Sequence, residues 1–215
     1  MPRAEARDVR VEHDLLGDRE IPAHAYWGVH TLRAVENFPI TGRWIGLWPE
    51  LVRALALVKH AAAQTNYELG LLDETKAKLI IAACREIADG ALHDEFVVDM
   101  IQGGAGTSTN MNANEVIANR ALELAGRKKG DYAFLHPIEH VNMAQSTNDV
   151  YPTALRLALR FAIVDLIAAM EELKVAFAAK SVEFRDLLKA EISKTVVNEE
   201  DIEAELAWMR GVLRG

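Results

Sequence analysis

The chain is poor in cysteine, in excess positive charge and in long apolar runs. Its single cysteine, Cys84, stands in the apolar run LIIAACREIA. No disulfide can form within the chain, and the thiol reads as a core side chain rather than a nucleophile. Lys and Arg number 24 against 32 Asp and Glu, a formal net charge of −8. No basic stripe interleaves with aromatics, and RKK at 127–129 is a short surface cluster, which argues against nucleic acid as a partner. No apolar run reaches the roughly eighteen residues of a membrane span. The start, MPRAEARDVRVEHD, is charged and lacks the apolar segment of a signal peptide. The expectation is a cytoplasmic protein without a membrane partner. Gly and Pro are not in excess, which excludes wholesale disorder. Half of the 215 residues are hydrophobic by type, enough for one large domain or two small ones with a real core.

Residues 1–50 read as irregular, with turn signals at Gly17-Asp18, Ile21-Pro22, Phe38-Pro39 and Trp48-Pro49. Tyr26, Trp27, Phe38, Trp44 and Trp48 are expected to pin this segment to something larger. From Glu50 the pattern turns helical, with Leu51, Leu55, Val58 and Ala62 on one face. A second helix is expected over 73–89, burying Ala77, Ile80, Ile81, Cys84 and Ile87. A third starts near Asn110, carries Val116, Ile117, Leu122 and Leu124, and stops at Gly126. After a polar loop, HPIEHVNMAQSTND, a long helical run reaches about Lys189, with Pro152 placed in its first turn. Leu155, Leu159, Ala162, Leu166, Ala169, Leu173 and Ala176 repeat at 4-3-4-3 spacing, a heptad seam. A single helix of roughly 55 Å cannot bury such a seam against itself, so it needs partners. Beyond Lys189, Ile202, Leu206, Met209 and Leu213 fall at helical spacing after a possible cap at Asn198.

Two clusters carry chemistry. In GGAGTSTNMN, 103–112, glycines let the backbone turn tightly ahead of a helix start, where unpaired N–H groups and the positive dipole end favour an anion. Thr107, Ser108, Thr109 and Asn110 add neutral donors. The same pattern also suits a plain glycine turn capping a helix. No Gly-Lys-Ser/Thr follows, so a phosphate loop is excluded. In AQSTNDVYPT, Ser146, Thr147 and Asn148 precede the long helix, a setting that alone reads as an ordinary N-cap. Two such clusters in one chain could grip the two ends of a dicarboxylate, or one end and an amine. His136 and His140 flank Glu139 at i, i+4, but Pro137, the loop setting and the missing third ligand argue against zinc.

Three stretches in order, DLLGDREIPAHAYWGVHTLRAVENFPITG, GGAGTSTNMNANEVIANRALELAG and HVNMAQSTNDVYPTALRLA, resemble the aspartase/fumarase superfamily, from about Val11 to about Lys189. The wording is closer to its aspartase branch than to its class II fumarases. The resemblance implies a mainly α fold: an N-terminal helical domain over 1–148, the first long helix of a central bundle over 149–189, and a tail over 190–215 outside the family pattern. It implies reversible elimination of ammonia from L-aspartate to give fumarate, in a homotetramer whose long helices share one bundle. Thr107 matches the substrate-binding threonine of the first region. Ser146, Thr147 and Asn148 match the second, with Ser108, Thr109 and Asn110 beside the first. Neither cofactor nor metal is implied.

The sequence also departs from the family. The loop Gly-Ser-Ser-x-Met-Pro-x-Lys-x-Asn, which carries the serine base, is absent. AEISKTVVN stands where Gly-Arg-Thr-His/Gln is usual, and Ile138, Glu139 and Ala144 replace Asn, Asp and Ser. The expectation is a truncated lyase that is inactive by itself and has no catalytic base of its own. The alternatives are a fumarase-like hydratase fragment, or a non-catalytic partner inserting its long helix into a full-length relative.

Overall fold

The structure, a computed structural model, describes residues 8–185 and 199–212. It is mainly α, as the resemblance implied. The first fifty residues are more regular than their composition suggests. β1 (Val9–Asp14) and β2 (Gly17–Pro22) form an antiparallel hairpin, in register from Val9 opposite Pro22 to Asp14 opposite Gly17. Gly17 closes its turn with φ 109°. α1 (Val29–Asn37) follows. The hairpin was hard to read because β1 exposes Val9 and Val11 and buries the charged Glu12; only Glu12 and Ile21 of the two strands are buried. The expected aromatic anchors are also weaker than supposed, since Trp44 and Trp48 remain exposed. Tyr26 does pin its segment, with its hydroxyl 2.6 Å from Glu123 and the Lys129 ammonium 3.5 Å above its ring.

α2 (Pro49–Glu68) starts with a proline, which loses nothing at a position whose N–H has no helical partner. Its buried face is rotated from the expected one. Val58 and Ala62 are half-buried, while Val52, Ala56, Lys59, Ala63 and Asn66, spaced 4-3-4-3, are buried with Leu51 and Leu55. α3 (Glu74–Ala88) is capped by Asp73, which accepts from the Lys76 N–H at 3.0 Å. It buries Ala77, Ile80, Ile81, Cys84 and Ile87, the expected set, together with Ala83.

α4 (Thr107–Leu124) is the central element, with every residue from Asn112 to Asn119 buried. Much of what it buries is polar, and three of these groups serve a neighbour's backbone. Asn112 donates to the Glu95 carbonyl at 3.0 Å, and Asn119 to the Tyr26 carbonyl at 2.7 Å. Glu115 accepts from the backbone N–H groups of Gly28, His30 and Thr31 at 2.8 to 3.1 Å. It thereby caps α1, which has no side-chain cap of its own. A π-helical turn at Pro137–Val141 leads to α5 (Thr147–Glu183). α5 starts earlier than expected, so Pro152 lies inside the helix rather than in its first turn and has no N–H to donate to the Asn148 carbonyl. It also stops before Lys189, which lies outside the described residues together with Asn198 and Leu213.

The chain divides into two compact units, Met1–Ala158 and Leu159–Gly215. The first holds the packed core of α1 to α4. In the second, α6 (Glu199–Val212) buries Ile202 and Leu206, and Lys174 and Glu171 of α5 pair with its Glu203 and Arg210. The seam positions Leu159, Leu166 and Leu173 stay exposed.

Candidate active site

The segment before α4 is shaped by two close approaches. A Cβ on Gly103 would lie 2.8 Å from the Phe38 ring, and one on Gly106 would lie 2.5 Å from the Tyr151 ring. Gly106 also has φ 83°, so it turns the chain into α4 where a larger residue would be strained. Asp99 fixes the other end of this segment. Its carboxylate accepts from the N–H groups of Thr41, Gly42 and Ile101 at 2.7 to 2.9 Å.

No side chain caps α4. Its first-turn N–H groups and positive dipole end are therefore open to a ligand. Thr107 is exposed and Ser108 half-buried beside that open end, whereas Thr109 and Asn110 are buried. At the second cluster, the exposed Ser146 accepts from the Asn148 N–H at 3.2 Å, the cap geometry that its sequence suggested.

The two clusters meet. Asn110 Nδ2 donates to Thr147 Oγ1 at 3.1 Å, and Thr109 and Asn148 line one cleft of about 550 Å³. Gln102, Gly106 and Tyr151 line it too, and the Gln102 Oε1 is buried without a partner. Thr107, Ser108, Ser146 and Thr147 are not part of that lining. The cleft offers amides, a threonine hydroxyl, a phenol and backbone; no carboxylate, histidine or lysine lines it. Such a lining is suited to binding and orienting a ligand and not to moving a proton.

Behind the clusters lies a polar network whose centre the sequence reading missed. Asn142 Oδ1 accepts from Lys59 Nζ at 2.7 Å, Asn110 Nδ2 at 3.0 Å and Asn114 Nδ2 at 3.2 Å. Lys59 also donates to Gln145 Oε1 at 2.9 Å, and Asn66 Nδ2 donates to the Met143 carbonyl at 2.9 Å. Lys59 is fully buried. Burial brings its ammonium down to about 7. The signal was present in the sequence as a lysine in register with Val52, Ala56 and Ala63.

His136 and His140 form no metal site. The Nδ1 of His136 accepts from the N–H groups of Ile138 and Glu139, and that of His140 accepts from the His136 N–H. Among the described residues no group of His, Cys, Asp and Glu could hold a metal ion. No described helix is long and apolar enough to cross a membrane.

A family model described as Lyase matches residues 17–195. The chain belongs to this lyase family. Aspartate ammonia-lyase from Pseudomonas fluorescens is 58% identical over 184 residues, covering 86% of this chain and 38% of that protein. Aspartate ammonia-lyase from Escherichia coli strain K12 is 52% identical over 185 residues, covering 86% and 39%. Among solved structures, fumarate lyase:delta crystallin from Brucella melitensis in native form superposes with TM-score 0.84 at 51% identity, covering 96% of this chain and 49% of that one. A class II fumarase from Schistosoma mansoni superposes with TM-score 0.78 at 30% identity, covering 96% and 44%. This lyase-family chain thus spans about 38% of the length of the ammonia-lyases it matches.

Proposed function

We propose that this chain supplies two substrate-binding regions of an aspartate ammonia-lyase, an enzyme that reversibly eliminates ammonia from L-aspartate to give fumarate. The observation that carries the reading is the junction of the two clusters. The uncapped start of α4 is hydrogen-bonded through Asn110 to Thr147 at the start of α5, and Thr109 and Asn148 share a cleft. Neutral donors converging at two helix starts suit a carboxylate-bearing ligand and the dianion that forms when a proton leaves the carbon beside a carboxylate. In this reading Thr107, Ser146, Thr147 and Asn148 touch the substrate, with Ser108, Thr109 and Asn110 supporting them. The proton acceptor comes from family segments other than these.

The level of identity to ammonia-lyases favours aspartate over malate as the natural substrate. The exposed leucines of α5 favour self-association through that helix, as in the bundle that the resemblance implies. Titration calorimetry of the whole chain with succinate, a dicarboxylate without a leaving group, tests the binding reading. Saturable binding that Thr107→Val and Thr147→Val weaken supports it; its absence from the unsubstituted chain refutes it. Competition by malate but not by aspartate would move the assignment to a hydratase.

A further inference from the structure

Lys59 is a buried cation that the fold leaves without a counter-charge. Its side chain is fully buried on α2, and among the described residues no carboxylate pairs with it. A buried ammonium without an anion is costly, and proteins that keep one normally neutralise it or hold a charge against it. Here the partners are two amide oxygens, those of Asn142 and Gln145. Cys84 of α3 is the titratable group whose charge registers at Lys59. Burial pushes its thiol up to about 12, so it stays neutral and supplies no anion. From α4 and the segment before α5, the network presents only amides.

The donors of the network crowd onto one acceptor, while the Oδ1 atoms of Asn110 and Asn114 are buried with no partner among the described residues. Asn142 Oδ1 receives three, one more than its two lone pairs serve well. One of those donors, Asn110 Nδ2, is the group that reaches Thr147. The excess positive charge therefore sits directly behind the junction of the two clusters.

We propose that Lys59 is a positioning residue for a carboxylate ligand: acting through Asn142 and Asn110, its ammonium sets the positive field at the junction, and the bound carboxylate provides the missing counter-charge. The proposal rests on the dicarboxylate reading above. A lysine of this kind must hold its proton more tightly once the anion is bound, and the anion must bind more weakly once the proton is lost. A purely structural lysine would show neither effect.

The test uses the full chain labelled with ¹³C-lysine. The Lys59 signal, assigned by its loss in Lys59→Met, is titrated against pH with and without saturating succinate. We expect the midpoint to move upward by about one pH unit, matched by an about tenfold fall in succinate affinity as Lys59 loses its proton. Lys59→Met should bind about tenfold more weakly near pH 6 and lose that pH dependence. Succinate binding with an unmoved Lys59 midpoint overturns the proposal and leaves the dicarboxylate reading standing. No succinate binding at all overturns both. If Lys59→Met does not fold, the signal is assigned in the unsubstituted chain by its through-bond connection to the Lys59 backbone, and the titration decides.

Discussion

The side-chain nitrogen of Asn110 lies 3.1 Å from the Thr147 hydroxyl oxygen, tying the first turn of α4 to the first residue of α5. The same nitrogen also reaches Asn142 Oδ1 at 3.0 Å. Asn110→Ala removes both bonds and leaves a small void at a buried position. A loss of about 2 kcal/mol follows, read from the urea midpoint at constant slope. Thr147→Val removes one bond and keeps the shape, so it should cost about 1 kcal/mol. A larger effect for Thr147→Val than for Asn110→Ala would contradict the network.

Gly106 is constrained twice, by its positive φ and by the Tyr151 ring. Gly106→Ala should lower stability by about 2 kcal/mol or more. Gly104→Ala is the informative comparison, because Gly104 has φ 76° but open space around it. Thermal melts of the two should differ by the steric part alone.

Lys59 makes stability depend on pH with a definite sign. Burial holds its ammonium down to about 7 in the fold, against the ordinary lysine value of 10.5 when unfolded. Between those values the unfolded chain binds more protons, so stability rises with pH across that window. Below about 7 both states are protonated and the burial cost is felt in full. Urea titrations from about pH 6 to 9 should show the rise, and Lys59→Met should flatten it.

The Glu115 carboxylate accepts from three backbone N–H groups and from His30 Nδ1 at 2.9 Å. That bond raises the His30 imidazole above its usual value. Its stabilisation is therefore complete below the unfolded value near 6.5 and disappears as pH rises through the higher folded one. An NMR titration of His30 should place its midpoint above 6.5, and Glu115→Gln should bring it down. Glu115→Ala strands the three N–H groups and should cost about 3 kcal/mol or more in a urea melt.

Much of the helical architecture was legible because it is a local property. Apolar spacing located α3 and five of the six residues that it buries, and Gly126, with φ 70°, ends α4 where the pattern stopped. The hairpin escaped because β1 exposes Val9 and Val11 and buries the charged Glu12, the reverse of the usual alternation. The rotation of α2 escaped because a lysine interrupts the buried stripe, and periodicity counts such a residue as surface. In the candidate site, the hydroxyl and amide clusters were visible as types in series. Their individual tasks were not: Ser146 caps a helix, Thr147 accepts from Asn110, and Thr109 and Asn148 line the cleft.

By itself the sequence determined the helices beyond residue 50, the turns that glycine makes possible, and the family, because these rest on neighbours within a turn or two and on residue types in order. Only the tertiary structure decided that Lys59 is buried with no carboxylate partner among the described residues and shares an acceptor with Asn110 and Asn114. Those groups lie on α2, α4 and the segment before α5, far apart along the chain. Their meeting depends on how the helices pack, and packing also decides which charges keep their water.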